Sequence, residues 1–478
     1  MPIFAFVNKL EVDLILCNFV AEFINVTMSE INITDRPLTR LERYKAILRL
    51  GFPILIGQLG QIVVGFVDSA MVGHYSTDAL AAASFVNNIF NIAILMCIGF
   101  TYGLTPLIGA LYSSKRNEDI GATLRRGVHV NLLFSLIATA VMGVVYLNLE
   151  NLGQPAHLLP LIRPYFLIYL SSVVAIALFQ TFAQSAYAVN SSMMPMWIVL
   201  GCNVVNIAGN YMLIYGNCGM PELGLTGAGI ATFAARWLSA VIIFAIFMRA
   251  RRYRPYKGAL LRPQGRGTGW RMIVRTSLPV SFQMGFETAS FSIAALMAGW
   301  LGATQLASFQ VFVTIGTLGF CIYYGMAAAV SVLVANASSR DDASRRMRAI
   351  AGSGYVIILS LAGVASAVFL VVGPYMIHIF TEDNAVVTMT MTMLVPLVLY
   401  QLGDATQINF ANALRGTANV MPMVAIAFVS YIVIGIPTTY LFAFTLGWGI
   451  VGIALSFSVS LFTAGALFLL TFLRTTRQ

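Results

Sequence analysis

Residues 51–81 read GFPILIGQLGQIVVGFVDSAMVGHYSTDALA, and residues 277–307 read SLPVSFQMGFETASFSIAALMAGWLGATQLA. The second stretch aligns with the first at an offset of 226 positions, the difference between 277 and 51. Identical residues at this offset, or within one position of it, are Pro53 and Pro279, Met71 and Met297, Gly73 and Gly299, and the MPM triplets at 194–196 and 421–423. The sequence therefore predicts two copies of one structural unit.

The composition of the chain is that of a polytopic membrane protein. Of its 478 residues, 59% are hydrophobic and only 10% are charged, whereas soluble domains carry about 25% charged residues. A membrane-spanning helix needs about 20 mostly apolar residues. Twelve such runs predict an all-α fold with twelve transmembrane helices, near residues 46–72, 80–112, 124–148, 160–188, 195–215, 225–248, 272–300, 304–336, 349–373, 386–414, 420–445 and 448–473.

Basic residues predict the orientation of these spans. They collect before the first span, at the even-numbered connections and at the C-terminal tail, whereas the odd-numbered connections hold almost none apart from Arg163. The positive-inside rule then places both termini in the cytoplasm. This pattern also explains the net charge of +10 without nucleic acid as a partner. Two halves of six spans each must have the same orientation, so they form parallel-repeat lobes related by an axis along the membrane normal.

The predicted domain boundaries follow from the repeat. They are an N-terminal extension at 1–40, an N-lobe at 41–250, a cytoplasmic inter-lobe loop at 251–271 and a C-lobe at 272–478. Met28 is an alternative start within the extension. The five cysteines are scattered without a CxxC pair, which argues against a disulfide framework, a zinc site or an iron–sulfur site.

Three carboxylates lie inside predicted spans: Asp68 in the first, Glu287 in the seventh and Asp404 in the tenth. Each costs about 2.5–3.5 kcal/mol at the centre of a bilayer, so such residues usually mark ion or substrate paths. The structural alternative is a buried salt bridge to Arg236, the one base predicted well inside a span. One arginine cannot pair with all three acids. We therefore expect at least two of them to be functional.

A polar cluster accompanies the first acid. Asn206 and Asn210 in the fifth span are four residues apart and share a helix face. Thr232 lies in the sixth span. Amide, hydroxyl and carboxylate oxygens form a hard-oxygen set that suits sodium or a protonated acid. Hydrogen bonding between helices is an equally reasonable interpretation of these side chains.

The chain resembles the multidrug and toxic compound extrusion (MATE) transporters from about Leu41 to Leu473. The resemblance lies in PILIGQLGQIVVGFVDSAMVG, in NYMLIYGNCGMPELGLTGAGIAT, in the acid of the seventh span and in YQLGDATQ followed by LRG. Glu287 together with Asp404 resembles the NorM-type branch. The resemblance implies two six-helix lobes and export of amphipathic, often cationic compounds against an inward flow of sodium or protons.

The resemblance also implies the roles of individual residues. An N-lobe cation cluster would comprise Asp68, Asn206, Asn210 and Thr232, and a C-lobe cluster would comprise Glu287, Tyr400 and Asp404. Either cluster could bind sodium. An acid in a low-dielectric cavity can hold a proton or face another cation, but not both comfortably. This exclusivity is the physical basis of antiport.

Organic cations bind well to aromatic faces and to adaptable thioethers. Side chains beside the acids are therefore predicted to line the substrate cavity: Gln58, Gln61, Phe66, Gln283, Met284 and Phe286. We expect no cofactor, no enzymatic activity and no nucleic-acid partner. The partners would be small organic substrates and membrane lipid, the chain would be monomeric, and its location would be the inner membrane of a bacterium.

Two other functions compete with this prediction. A flippase for lipid-linked oligosaccharides would need several cavity arginines for pyrophosphate, and the sequence offers only Arg236. An intramembrane enzyme would need a catalytic motif, but neither HExxH nor GxSxG occurs. Sodium and proton coupling remain open alternatives.

Overall fold

The computed structural model describes residues 38–262, 265–340, 342–381 and 383–477. Throughout these ranges the regular structure is helical and no strand occurs. The predictions for residues 1–37, including the alternative start at Met28, lie outside the described residues. The all-α fold class is confirmed.

The described N-terminal half contains seven α-helices before the inter-lobe connection. They are α1 Arg40–Tyr75, α2 Thr77–Tyr102, α3 Leu104–Ser113, α4 Asn117–Leu147, α5 Leu159–Ala188, α6 Met193–Tyr215 and α7 Gly224–Arg249. Helices α2 and α3 together occupy the second predicted span. Short 3-10 helices cover Leu149–Leu152, Ala156–Leu158 and Asn217–Gly219.

The C-terminal half repeats this arrangement after a short connecting helix. The helices are α8 Arg254–Leu261, α9 Trp270–Leu301, α10 Ala303–Ala337, α11 Ala343–Phe380, α12 Asn384–Thr392, α13 Leu394–Gly416, α14 Met421–Thr445 and α15 Gly449–Thr475. Two segments of α14, Phe428–Gly435 and Leu441–Thr445, are wound as π-helix. Each of the twelve predicted spans is therefore occupied by one helix or by a broken pair.

Ten of the described helices are long and apolar enough to cross a membrane, and α12 with α13 forms an eleventh span bent by 49°. Helix α9 occupies the seventh predicted span but falls outside this set. Glu287 and the polar residues around it lower the hydropathy of α9. One helix in a predicted span thus falls short of this apolarity because it carries an acid.

Local sequence signals explain where the first helix begins and bends. Thr39 accepts a hydrogen bond from the Glu42 amide, and the Glu42 side chain accepts one from the Thr39 amide. This reciprocal capping box satisfies N–H groups that a helix start leaves unpaired. Pro53 lies inside α1 and its repeat partner Pro279 lies inside α9. Proline removes one helix hydrogen bond and favours a bend at both places.

The inter-lobe connection is more ordered than the loop predicted at 251–271. It contains a 3-10 turn at Arg251–Tyr253 and helix α8, and α9 already begins at Trp270. Tyr256 is buried because α8 packs against α4, and Tyr253 is buried against α7, where its ring stacks on Phe247 (4.1 Å between centroids). Burial raises the pKa of Tyr253 to about 12, so its neutral hydroxyl donates to Ser191 Oγ (2.7 Å). The connection therefore packs against α4 and hydrogen-bonds the segment between α5 and α6.

The two halves meet through equivalent helices. Helix α1 packs against α10, and its repeat partner α9 packs against α2. The backbones approach closely there: a Cβ added at Gly325 would meet the Gly51 carbonyl oxygen at 2.4 Å. A Cβ at Gly103 would meet Ser277, the repeat partner of Gly51, at 2.5 Å from its Cα. The same pair of helices meets on both sides, which indicates a pseudo-twofold arrangement.

Hydrogen bonds join the lobes at one end of the molecule. The hydroxyls of Ser113 and Ser339 bond to each other, and the Tyr102 and Tyr324 hydroxyls are 2.5 Å apart. Arg43, near the start of α1, donates to Ser353 Oγ in α11 (2.9 Å). The start of α1, the end of α3 and the end of α10 therefore lie at a common closed end.

Candidate functional site

The first acid cluster lies within the N-lobe, where α1, α6 and α7 meet. Asn210 Nδ2 donates to Asp68 Oδ1 (2.5 Å). The Asn206 amide, in the orientation that satisfies both of its ends, donates to Asp68 Oδ1 (2.7 Å) and accepts from Thr232 Oγ1 (3.2 Å). Asn206 and Asn210 reach the same carboxylate because they are four residues apart on α6. The structure thus brings these four sequence-predicted residues together.

Arg236 does not neutralise this cluster directly. Its guanidinium donates to Ser172 Oγ and to the Tyr169 hydroxyl, each at 2.7 Å, and lies over the Tyr169 ring at 4.2 Å. It attracts Asp68 electrostatically, but within the described ranges no ion pair joins the two side chains. The predicted salt-bridge alternative is therefore absent at Asp68.

The second acid cluster lies in the C-lobe between α9, α10 and α13. The Tyr323 hydroxyl donates to Asp404 Oδ2 (2.5 Å) and lies 2.7 Å from Gln401 Oε1. Gln283 Nε2 donates to Glu287 Oε2 (2.8 Å). Glu287 and Asp404 therefore belong to the same lobe, and each has a neutral hydrogen-bond partner.

Tyr400, predicted to belong to this cluster, has a different immediate environment. Its side chain is buried, and its ring packs edge-to-face with Phe312 (5.7 Å between centroids) and Phe291 (6.4 Å). The hydrogen bond to Asp404 comes instead from Tyr323. Sequence reasoning missed Tyr323 because it lies on another helix, 81 positions away, with no motif that marks it.

The side chains predicted to line a substrate cavity separate into several environments. Gln58 and Gln61 line a cavity of about 30 Å³ between the lobes, whereas Gln283 hydrogen-bonds Glu287. Phe66 is 68% exposed on the surface of α1. The structure therefore does not collect these residues around one cavity.

The two remaining residues predicted for that cavity contact other helices. The Met284 sulfur would be 2.8 Å from a Cβ added at Gly99 on α2, so this side chain lies at the α2–α9 contact. The Phe286 ring packs against Phe282 (6.2 Å) and against Phe428 on α14 (5.6 Å). Both side chains pack near Glu287 on α9.

In the sequence, Arg415 follows the tenth predicted span and belongs to one of the even-numbered connections whose basic residues predict the orientation. It lies inside α13 and is only 7% exposed. Its guanidinium lies over the Tyr102 ring at 4.7 Å, and it lines the same inter-lobe cavity as Gln58. Arg415 lies in the last turn of α13, one position beyond the tenth span predicted at 386–414, so it does not contradict the prediction that Arg236 is the base well inside a span. A charged residue near a helix end looks the same in sequence whether it faces water or a neighbouring lobe.

The acid clusters consist of carboxylate, amide and hydroxyl groups, which are hard-oxygen ligands. Within the described residues no group of three His, Cys, Asp or Glu side chains is placed to hold a metal ion. The buried Asn210 Oδ1 has no hydrogen-bond partner among the described residues. Together with the Asp68 carboxylate that the same amide contacts, it is an oxygen ligand of the kind that sodium accepts.

The sequence profile of the MatE family matches residues 53–212 and again residues 279–441. The two matches begin at Pro53 and Pro279, which is the offset of the internal repeat, and together they cover more than half of the chain. The chain belongs to the MatE family. The predicted family resemblance is thereby confirmed, and the protein is a multi-pass membrane transporter. One match lies inside each predicted lobe, while the lobe boundaries themselves stay a prediction.

Individual relatives agree with this assignment. The chain is 28% identical over 432 residues to a probable multidrug resistance protein NorM of Xanthomonas axonopodis pv. citri (strain 306), covering 90% of this chain and 93% of that protein. A eukaryotic MATE transporter has a similar fold, with a TM-score of 0.83, 18% identity and coverage of 92% and 98%. The fold of a MOP superfamily transporter from Pyrococcus furiosus is also similar, with a TM-score of 0.82 and 17% identity. The match covers 91% of this chain and 97% of that protein. The MatE fold is therefore shared across distant sequences.

Proposed function

We propose that this protein exports amphipathic, mainly cationic organic compounds in exchange for sodium or protons. The family and the similarity to a probable multidrug resistance protein support the export of such compounds. The acid clusters support the exchange. The proposal requires no cofactor, catalytic residue or nucleic acid, and a single chain supplies both lobes.

The main support for this exchange is that each lobe contains a carboxylate whose hydrogen-bond partners are neutral groups. Asp68 receives amide hydrogen bonds and Asp404 receives a phenol hydrogen bond. Within the described ranges neither acid forms an ion pair with Lys or Arg. A buried negative charge without a fixed counter-charge is costly and gains most from binding a mobile one. A proton, a sodium ion or a cationic substrate can supply that charge in turn.

Competition for the same acids couples the two fluxes. A substrate cation and a coupling ion that both need one carboxylate exclude each other, so the arrival of one promotes release of the other. Coupling also requires that the bound ion favour one arrangement of the lobes over the other. The N-lobe cluster can meet this requirement. Asp68 connects α1 to α6 by a hydrogen bond, and α1 also packs against α10 of the other lobe. Ion binding can thereby act on the inter-lobe contact.

The orientation of the chain follows from its charges. Lys115, Arg116 and Arg340 flank the closed end at Ser113 and Ser339. By the positive-inside rule this end faces the cytoplasm, so both termini are cytoplasmic and the described arrangement is closed toward the cytoplasm. The bacterial relative supports placement in an inner membrane. Transport would require the lobes to separate at this end in the alternate state.

The test is dye transport in vesicles that contain the purified protein. An ethidium-like dye is measured under an imposed sodium gradient without a pH gradient, and under a pH gradient without sodium. We expect dye movement to follow one of these gradients and to stop when that gradient is collapsed by an ionophore. Protein-free vesicles are the control. Dye movement that is unaffected by either gradient would contradict the exchange mechanism.

A further inference from the structure

The cavity between the lobes is chemically distinct from the two acid clusters. Its volume is about 30 Å³, and residues of both lobes line it. The polar neutral side chains in its wall belong to Gln58, Gln61, Tyr102, Thr105, Gln180, Gln184, Tyr187, Tyr324, Ser331 and Asn412. Among the lining residues in the described part of the chain, Arg415 is the one charged side chain. The cavity is therefore positive, whereas the acid clusters are negative.

Within the described part of the chain, Arg415 forms no ion pair with a carboxylate. Its Nη1 donates to Asn412 Oδ1 (3.1 Å), while its buried Nε has no hydrogen-bond partner among the described residues. Glu287 attracts it electrostatically, but no ion pair between them occurs in the described ranges. The Tyr102 ring covers one face of the guanidinium at 4.7 Å. A buried, incompletely bonded cation of this kind is stabilised by an anion.

The neutral groups around Arg415 offer further donors. Thr105 Oγ1 donates to Gln184 Oε1 (2.9 Å), which leaves the NH₂ group as the donor end of that amide. The Tyr102 and Tyr324 hydroxyls share one hydrogen bond, so the proton of the second hydroxyl is available to another acceptor. The cavity wall thus combines one fixed positive charge with amide and hydroxyl donors from both lobes.

We propose that this inter-lobe cavity binds a small monovalent anion against the Arg415 guanidinium. The volume of about 30 Å³ accommodates one chloride ion with roughly one water molecule, or one carboxylate group. It is too small for an organic cation of drug size, which needs a pocket of about 300 Å³ or more. The anion comes from solution, either as chloride or as a small carboxylate such as formate.

An anion in this position connects the two lobes. Arg415 and Tyr324 belong to the C-lobe, and Tyr102 and Gln184 belong to the N-lobe. A ligand that contacts both sides stabilises the arrangement in which they are close. Anion binding therefore favours the closed end described above, and separation of the lobes releases the anion. This inference concerns binding and does not depend on which compound is exported.

The experiment measures thermal unfolding of the purified full-length chain by tryptophan fluorescence. Sodium gluconate, whose anion is too large for the cavity, is replaced stepwise by sodium chloride or sodium formate at constant ionic strength. We expect a saturable rise in the unfolding midpoint of about 2 °C or more for at least one of these anions. A response to chloride alone identifies a halide site, and a response to formate alone identifies a carboxylate site.

Variants of cavity residues test whether the anion-dependent rise in the unfolding midpoint arises at Arg415. Arg415→Gln is expected to abolish it and Arg415→Lys to retain part of it. Arg163→Gln is the matched control, because Arg163 is exposed and pairs with Glu150 away from the cavity. If Arg415→Gln fails to fold, Gln184→Leu replaces it, and equilibrium binding of radioactive chloride and formate to the wild-type chain is counted. No midpoint shift with either anion, or an undiminished shift in the cavity variants, would overturn the proposal.

Discussion

Ser113 and Ser339 are 226 positions apart, and their hydroxyl groups bond to each other across the boundary between the lobes. This separation equals the offset of the internal repeat. Two residues that are equivalent in a pseudo-twofold pair can touch only near the axis that relates them. Their contact therefore marks the axis at the closed end, where α3 and α10 come together.

Cysteines at these two positions should report on lobe separation. In a background with Cys17 and Cys218 replaced by serine, Ser113→Cys with Ser339→Cys is expected to form a disulfide under mild oxidation, because the two Oγ atoms already touch. The bond would hold the closed end and stop dye efflux, and a reductant would restore it. Gel mobility after cleavage between the lobes measures the bond. Each single cysteine variant is the control, and unhindered efflux from the oxidised double variant would refute the expectation.

Asp68→Asn should insert and fold normally but lose coupled efflux. The amide keeps a similar shape, while the exchangeable negative charge disappears. Efflux of an ethidium-like dye from cells is the measurement. We expect the efflux rate to fall by about tenfold or more, which corresponds to the loss of about 1.4 kcal/mol or more of interaction energy. Asp78→Asn is the matched control, because Asp78 lies exposed in the first turn of α2. Wild-type efflux from Asp68→Asn would count heavily against the assigned role.

Glu287→Gln and Asp404→Asn should each weaken dye efflux, because each removes one of the two acids inside the predicted spans of the C-lobe. Initial efflux rates at equal protein abundance are the measurement. Glu118→Gln serves as the control, since Glu118 lies at the exposed start of α4. If neither substitution changes the rate, the second cluster is structural.

Tyr323→Phe should reduce efflux more than Tyr400→Phe. The first substitution removes the hydroxyl that donates to Asp404, and loss of a hydrogen bond to a charged group costs about 1.5–3 kcal/mol. The second leaves the ring packing of Tyr400 against Phe312 intact. Efflux rates of the two variants at equal abundance decide the comparison. A larger effect at Tyr400 would restore the role that sequence reasoning gave it.

Gly325→Ala should destabilise the contact between α10 and α1. The added Cβ would lie 2.4 Å from the Gly51 carbonyl oxygen, and overpacking of this kind costs about 1–3 kcal/mol. A lower unfolding midpoint in detergent is the expected result. Gly143→Ala is the matched control, since a Cβ there meets nothing within 4 Å. Equal unfolding midpoints for the two variants would show that α1 and α10 can move apart without loss of stability.

The sequence by itself determined the helices, their duplication and the residues that act through local spacing. Hydropathy over about 20 residues located all twelve helical segments, and the constant offset located the repeat later matched by the family profile. Asn206 and Asn210 were paired correctly because four residues on one helix fix a common face. These features depend on neighbours along the chain, so the chain alone specifies them.

Only the tertiary structure decided which helices supply the partners of each acid. Tyr323 reaches Asp404, and Arg415 lies against Tyr102 instead of facing water. Neither contact has a sequence signal, because the rotation and depth of one helix against another depend on how whole surfaces pack. A polar residue in a span shows that some partner is required. Which side chain meets that requirement is set by the approach of segments that are distant in the chain.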